Sequence, residues 1–485
     1  MNANGSWGER DSLFDAVVVG GGLCGLATAA ELLRLAPDAR VICLEAQARA
    51  GGVIRTVRAG GFVIDGGPAG FIDKHGAVRR LARSLELDGH MMSSSGAHQA
   101  RWVKRDGRLH RFPASLAGLV GSDLLSAAGK LRLLAEPFRP RPAEGEARDE
   151  TVRAFATRRL GREAAEILVD PIVSGIYAAD AGQVSVASSL PQLVALERQG
   201  RSLLRMFLGS TGTVRPLVSF RGGCQRLIDA LTSRLGDRVL CGGPVESIVR
   251  RKGSADGDHA FEVRLGDRMI RARTVVSAAP ALAASRYLRA LDPEVAWQLA
   301  QIRYASVAVV ALGYRKGDLP HPLAGFGYLV PRCEGSPVLG VQWSSSMYPG
   351  ELAPEGTCLV RLFLGGAYHP TLAAEPAEEL ARLARDEVAS ALGASAPPLV
   401  CHVERHLEAM PQYLPEHERR VQEIEDRLGA HPGLFVGGNG LRGLGMDAVA
   451  FDAEKQAAAA TAFLRRSTAA PPSETTLHSP KERIV

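Results

Sequence analysis

"VVVGGGLCGLATAAELLRLAPDARVICLEA", Val17 to Ala46, sets four glycines between an apolar β-branched run and an Ala/Leu-rich run, then closes a second apolar run on a glutamate. Val17 to Val19 reads as a buried parallel strand, and Leu23 to Leu35 repeats apolar residues at helical spacing. Gly20, Gly21, Gly22, Leu23, Cys24 and Gly25 therefore fall on a strand-to-helix turn. Gly20 allows the tight turn, Gly22 lets the backbone approach a pyrophosphate, and Gly25 lets helix and strand pack closely. The helix N-terminus adds free N–H groups and the positive end of a dipole. Val41 to Leu44 is the next strand, and Glu45, followed by Ala46, stands where an acidic side chain accepts ribose hydroxyls. Strand, turn, helix, strand and terminal acid together predict a dinucleotide cradle.

Outward from that stretch, 485 residues are enough for two or three domains with apolar cores. The formal net charge of +6 is a modest excess on so long a chain and reads as solubility, not as a nucleic-acid surface. Seven scattered cysteines without a CxxC pair argue against a disulfide scaffold and against a zinc site, so no metal is expected and a reducing cytoplasm is the simplest setting. The first fifteen residues lack a basic start followed by an apolar run, and the most membrane-like stretch, Ala114 to Glu136, is interrupted by Asp123, Lys130 and Arg132. Neither a signal peptide nor a spanning helix is expected.

More glycine-rich segments follow. "EAQARAGGVIRTV" brings Gly51 and Gly52 directly after the second strand, and "GGFVIDGGPAGFI" adds Gly67, Pro68, Ala69 and Gly70. Read alone, these suit Gly-rich turns in a hairpin. After the first cradle they resemble the flavin amine-oxidase superfamily, in which FAD lies buried lengthwise. "GGPVESIVR" (Gly242 to Arg250) resembles that superfamily's adenine-side strand, with Val245 at the contacting position. "GLFVGGNGLRGLGMDAVAFDAEKQAAAATAFL" near the C-terminus places Leu444, Gly445 and Met446 where backbone meets the isoalloxazine.

"DPIVSGIYAADAGQVSVASSLPQLVALERQGRSLL" (Asp170 to Leu204) narrows the resemblance to the protoporphyrinogen oxidases. "SFRGGCQRLIDAL", "YASVAVVALGY", "GFGYLVP" and "MPQYLPEHERRV" continue it in family order over nearly the whole chain. The resemblance implies oxidation of a porphyrinogen on FAD with oxygen as acceptor, protoporphyrinogen IX ahead of coproporphyrinogen III. Because the flavin carries the chemistry, no catalytic side chain is expected, and the sequence has no HExxH, GxSxG or paired-carboxylate motif. Two further readings stay open: a diverged oxidase of another amine-like or tetrapyrrole metabolite, and a non-catalytic porphyrin-binding flavoprotein.

An apolar macrocycle with propionates needs apolar walls and one or two cations. The resemblance puts a propionate-binding arginine at Arg101, ring-packing residues at Leu329 (two after Gly327) and Phe363, and at Gly175 a carbonyl facing the tetrapyrrole centre. On the residues alone, Arg101 reads as a solvated hairpin charge beside the Asp106–Gly107 turn signal, and Leu329 and Phe363 as ordinary core.

The implied fold is α/β: a discontinuous Rossmann-like FAD domain (12–80, 215–285, 425–466), an inserted α+β substrate domain (81–113, 286–424) and a mostly helical, membrane-associating domain (114–214), followed by a disordered tail (467–485). Periodicity alone makes the helical segment a helix pair with its apolar stripe in the core. Resemblance points instead to peripheral attachment at the inner face of the cell membrane, and a homodimer is a further expectation. The chain departs from the family pattern around the cofactor. His406 stands for a tryptophan near the flavin, Ala69 for Asn or Arg, Ala179 for glycine, and Ala448–Val449 for an Asp–Cys pair.

Overall fold

A computed structural model describes residues 13–96, 100–113, 115–139, 149–205, 215–251 and 261–468. The opening stretch folds as its pattern dictates: β1 (Leu13–Val19), α1 (Leu23–Leu35) and β2 (Val41–Glu45). Every residue of β2 is buried, as a strand covered on both faces requires. β1 pairs in parallel with β2 and with β8 (Arg268–Ser277). Four more strands extend the sheet. They are β5 (Val239–Cys241) beside β2, β7 (Phe261–Leu265) and β6 (Ser247–Arg250) antiparallel beyond β8, and β14 (Leu434–Val436) parallel to the end of β8. Val245 precedes β6 instead of lying in it. Pro244, one residue earlier, has no N–H to give to a ladder.

The second sheet runs β13 (Val400–Gln412), β9 (Arg303–Arg315), β12 (Thr357–Gly365), β11 (Val338–Gln342), β10 (Gly327–Leu329), then the hairpin β3 (Arg101–Arg105) and β4 (Arg108–Arg111). Asp106 and Gly107 at the hairpin tip both have positive φ, 50° and 72°. That is the two-residue turn their pairing predicts. Two small sheets, the hairpin Thr56–Ala59 with Phe62–Asp65 and a three-stranded sheet of Phe71–Ile72, Leu217–Phe220 and Met91–Ser93, stand apart from the two large ones. The described residues between 115 and 205 are mostly helical, with α3 (Leu116–Gly121), α4 (Ala127–Leu134), α5 (Val152–Leu160) and α6 (Asp170–Tyr177) around their own apolar cluster. Val103 of β3 joins that cluster, so the hairpin packs on the helices.

Leu119 and Leu133 face this core, which is the helix-pair packing that periodicity favours. Leu116, Val120, Leu131 and Phe138 point the other way; Leu131 is 71% and Phe138 89% exposed. Among the described residues no helix is long and apolar enough to cross a membrane. Of the tail expected to be disordered, Ser467 and Thr468 continue the last helix, α9 (Met446–Thr468), and the rest lies outside the described residues.

The tightest packing is at the first turn. A Cβ on Gly25 would stand 1.8 Å from the Gly20 carbonyl oxygen, and one on Gly20 2.9 Å from the Ala278 backbone. Gly25→Ala is therefore expected to cost at least about 3 kcal/mol, the upper end for overpacking, because the obstacle is backbone that cannot rotate away. A thermal melt of the purified variant checks this.

Candidate active site

The turn that packs so tightly on one side is open on the other. A Cβ on Gly22 or on Gly445 meets nothing within 4 Å, and one on Gly52 only the Gly22 Cα at 3.4 Å. These three glycines leave backbone facing free space, the form a cradle for a bulky dinucleotide takes. Remote segments converge on it. The Gly51 N–H donates to the Gly21 carbonyl at 2.7 Å, Gly67 abuts the Val53 carbonyl, and Gly438 lies against Cys24 and Ala278. Glu45 accepts the Gly21 N–H at 2.6 Å and the Gln47 N–H at 2.8 Å, so its carboxylate is held at the end of β2. The segment leading to Val245 is pinned there too, through Gly243 N–H to the Glu45 carbonyl. Gly70 packs on β-strand backbone at Val218.

The C-terminal segment is fixed by two carboxylates and a histidine that the sequence reading did not single out. Asp447, the second residue of α9, accepts N–H groups from Lys74, His75 and Val78 at 2.5–3.0 Å and so caps α2 (Ala77–Ser84). Burial pushes its pKa up, but those donations outweigh it and the net shift is down. Asp452 accepts the Gly438 N–H at 2.7 Å, and burial raises its pKa. His417, at the start of α8 (His417–Leu428), donates Nε2–H to the Leu441 carbonyl at 3.0 Å and stacks on Tyr413. Burial lowers its pKa to about 4.

On the second sheet, register decides which side chains share a face. Arg101 pairs with Gly327, Gly327 with Gln342, Gln342 with Arg361 and Arg361 with Ala311. The next row is Val103, Leu329, Gly340, Phe363, Val309. Arg101, Gly327, Leu329 and Phe363, four of the five positions expected to hold substrate, thus stand on one face in two adjacent rows. A Cβ on Gly327 would meet the Val341 carbonyl oxygen at 1.9 Å, and one on Gly340 the Leu329 Cδ2 at 3.2 Å, so Leu329 packs closely over Gly340. The fifth position, Gly175, packs on Leu329 as well: a Cβ on Gly175 would meet the Leu329 Cδ2 at 2.4 Å. Gly175 belongs to the last turn of α6, whose carbonyls have no partner inside the helix. Leu339, Val307 and Val309, with Phe363 and Met410, form an apolar cluster alongside.

Arg101 is solvent-accessible, and the protein packed around it desolvates the guanidinium and lowers its pKa. Among the described residues no carboxylate pairs with it; its guanidinium lies 6.0 Å from the Phe326 ring. His406 donates Nε2–H to the Gly66 carbonyl at 2.8 Å, tying β13 to the Gly66–Gly70 loop. A cleft of about 610 Å³ between α8, β14 and α9 contains none of the expected cofactor or substrate positions.

The sequence reading missed Arg361 and Gln342. The available signal was a single charge inside an apolar strand, "CLVRLFLGG".

Residues 23–460 match the family described as flavin containing amine oxidoreductase. The chain belongs to that family. Its cofactor is accordingly FAD, and the open glycine cradle fits that group. The chain is 34% identical to human protoporphyrinogen oxidase over 450 residues, 86% of this chain and 91% of that one. It is 27% identical to the coproporphyrinogen III oxidase of Bacillus subtilis over 451 residues, 89% and 94% of the two chains. A crystallised protein from Exiguobacterium superposes with TM-score 0.80 at 24% identity, over 92% of this chain and 98% of that one, a likeness of fold.

His417 yields a pH prediction. Unfolded, it takes a proton near its ordinary 6.5; folded, it stays neutral down to about 4. Its contribution to stability is complete above pH 6.5 and is lost as pH falls toward 4, by up to roughly 3 kcal/mol. His417→Gln keeps an N–H for the Leu441 carbonyl and cannot titrate. Melting temperatures from pH 7 to pH 4 should fall less steeply in that variant than in the wild type.

Proposed function

We propose that this flavoenzyme oxidises protoporphyrinogen IX to protoporphyrin IX, with three molecules of oxygen taking up the six electrons and six protons as hydrogen peroxide. In this reading 12–80, 215–285 and 425–466 carry the cofactor, 81–113 with 286–424 the substrate, and 114–214 the membrane contact. The observation that supports it most is the placement of Arg101, Gly327, Leu329 and Phe363 in two adjacent rows on one face of the sheet, with no carboxylate paired to Arg101 among the described residues. An apolar ring carrying carboxylates calls for that combination of wall and cation.

When bound, FAD accepts hydride equivalents from the substrate carbon. The chain's own residues supply position. Gly20 to Gly25, Glu45, Ala46, Gly52, Gly67 to Gly70, Val245, His406 and Leu444 to Met446 hold the cofactor. Arg101 pairs a propionate, Leu329 and Phe363 wall the ring, and the Gly175 carbonyl faces its centre. A pyrrole nitrogen lone pair stabilises the cation left when hydride departs, so no side-chain base is needed.

Coproporphyrinogen III is the second candidate, supported by the Bacillus subtilis relative. Under air, turnover of each porphyrinogen followed by porphyrin fluorescence and peroxide release discriminates them; failure to oxidise either refutes the proposal. Arg101→Ala should retain FAD and raise KM about tenfold or more, the loss of one charge-assisted hydrogen bond of about 1.5–3 kcal/mol. Unchanged KM would return Arg101 to the solvated surface.

The outward Leu116, Val120, Leu131 and Phe138 share a short segment with Lys130, whose Nζ donates to the Val120 carbonyl at 2.8 Å, and with Arg132. That pairing of apolar and basic groups supports attachment to an anionic bilayer. Co-sedimentation with anionic vesicles should be weakened by Leu131→Glu with Phe138→Glu. Equal binding by the double variant would remove the helical segment from the contact.

A further inference from the structure

We infer that Arg361 is an electrostatic positioning residue for the flavin, a cation buried behind the Gly66–Gly70 loop that makes the isoalloxazine easier to reduce. Arg361 is 2% exposed on β12. One of its N–H groups donates to Gln342 Oε1 at 2.9 Å and another to the Gly67 carbonyl, while Nε has no partner. Both acceptors are neutral. Among the described residues no carboxylate lies within ion-pair distance of it.

The carboxylate that acts on Arg361 through space is Asp65, which is engaged elsewhere: it accepts Thr56 Oγ1–H at 2.6 Å and the Cys224 N–H at 3.0 Å. A buried cation without an ion-pair partner is costly, and a guanidinium cannot shed its proton to escape the cost. Burial does pull its pKa down. Holding a carbonyl in place requires a donor but not a charge, so the charge has to be explained by something anionic.

Location narrows what that is. Gly67, bonded to Arg361, belongs to the loop expected to contact the flavin ring. Phe363, two residues further along the same face of β12, has its ring 5.4 Å from the Arg361 guanidinium. Accepting one hydride adds one net negative charge to the ring. In a dry interior the field of Arg361 is weakly screened and favours that reduced form over the oxidised one. The pyrophosphate, by contrast, is equally anionic in both oxidation states. A cation serving it would strengthen FAD binding without moving the reduction potential.

The test is the midpoint potential of the bound flavin at pH 8 in the intact holoprotein, by dye equilibration, for wild type, Arg361→Met and Arg361→Lys. It needs no substrate, so it rests on the flavin assignment and not on the tetrapyrrole reading. Removing the charge should lower the reduced-to-oxidised ratio at fixed potential at least tenfold, a shift of about 30 mV to the negative for a two-electron couple. Arg361→Lys, which keeps the charge but not the planar fork, should stay near the wild-type value. An unmoved potential in Arg361→Met, or the same shift in both variants, overturns the inference. Should Arg361→Met not retain flavin, Asp65→Asn carries the test. It deletes the opposing charge while still accepting from Thr56 and Cys224, and must shift the potential positive; no shift or a negative one overturns the inference.

Discussion

Two backbones in contact, the Gly20 carbonyl under the first turn of α1 at Gly25, are the constraint on which the rest depends. Any side chain at Gly25 would lift the helix off its strand. With the helix lifted, its N-terminus would no longer look across Gly22 into open space, and Gly51 would lose the Gly21 carbonyl that sets the next loop. Glu45 reinforces the same turn by accepting the Gly21 N–H, so the acid at the end of β2 sits against the glycine-turn backbone. The shape of that turn follows from how closely a helix can approach a sheet.

The Gly66–Gly70 loop joins the small hairpin strand Phe62–Asp65 to Phe71–Ile72 and is held from the second sheet. His406 reaches it from β13 and Arg361 from β12, each donating to a loop carbonyl. Side chains rooted in the second sheet thereby set the position of that loop. The register of β9, β11 and β12 decides which of their side chains share the face that reaches it. A slip by one residue would send Phe363, Arg361 and Gln342 to the opposite face together.

Buried charge fixes the outer parts. Lys104 of β3 bonds both oxygens of Glu387 on α7 (Ala377–Leu392) at 2.9 Å, and Tyr328 adds a third hydrogen bond at 3.0 Å. Arg159 and Glu136, both fully buried, lock α5 against the end of α4's segment, with Ser202 and the Leu203 and Leu204 N–H groups completing the carboxylate. Arg153 and Tyr368 share Asp170 and Asp180. That cluster holds α6, and with it Gly175, against the end of β12. Such networks add little net stability over an apolar core, but breaking one partner is expensive, so they favour a single arrangement.

Local pattern determined what depends on neighbours in the chain. The glycine spacing, the α1 periodicity and the acid at position 45 placed α1 and β2 nearly to the residue and the end of β1, which starts at Leu13 instead of Val17, and Asp106–Gly107 placed the hairpin, because turn geometry and helical period are written within a few residues. Arg101, Gly175, Leu329 and Phe363 were singled out only through resemblance, since each alone reads as surface or core. Arg361 showed only as a lone charge inside an apolar strand, and Gln342, His417 and Asp447 were not legible at all. Their roles arise from partners 19 to 373 residues away in sequence, and cross-strand register and burial, which bring those partners together, are properties of the folded chain alone.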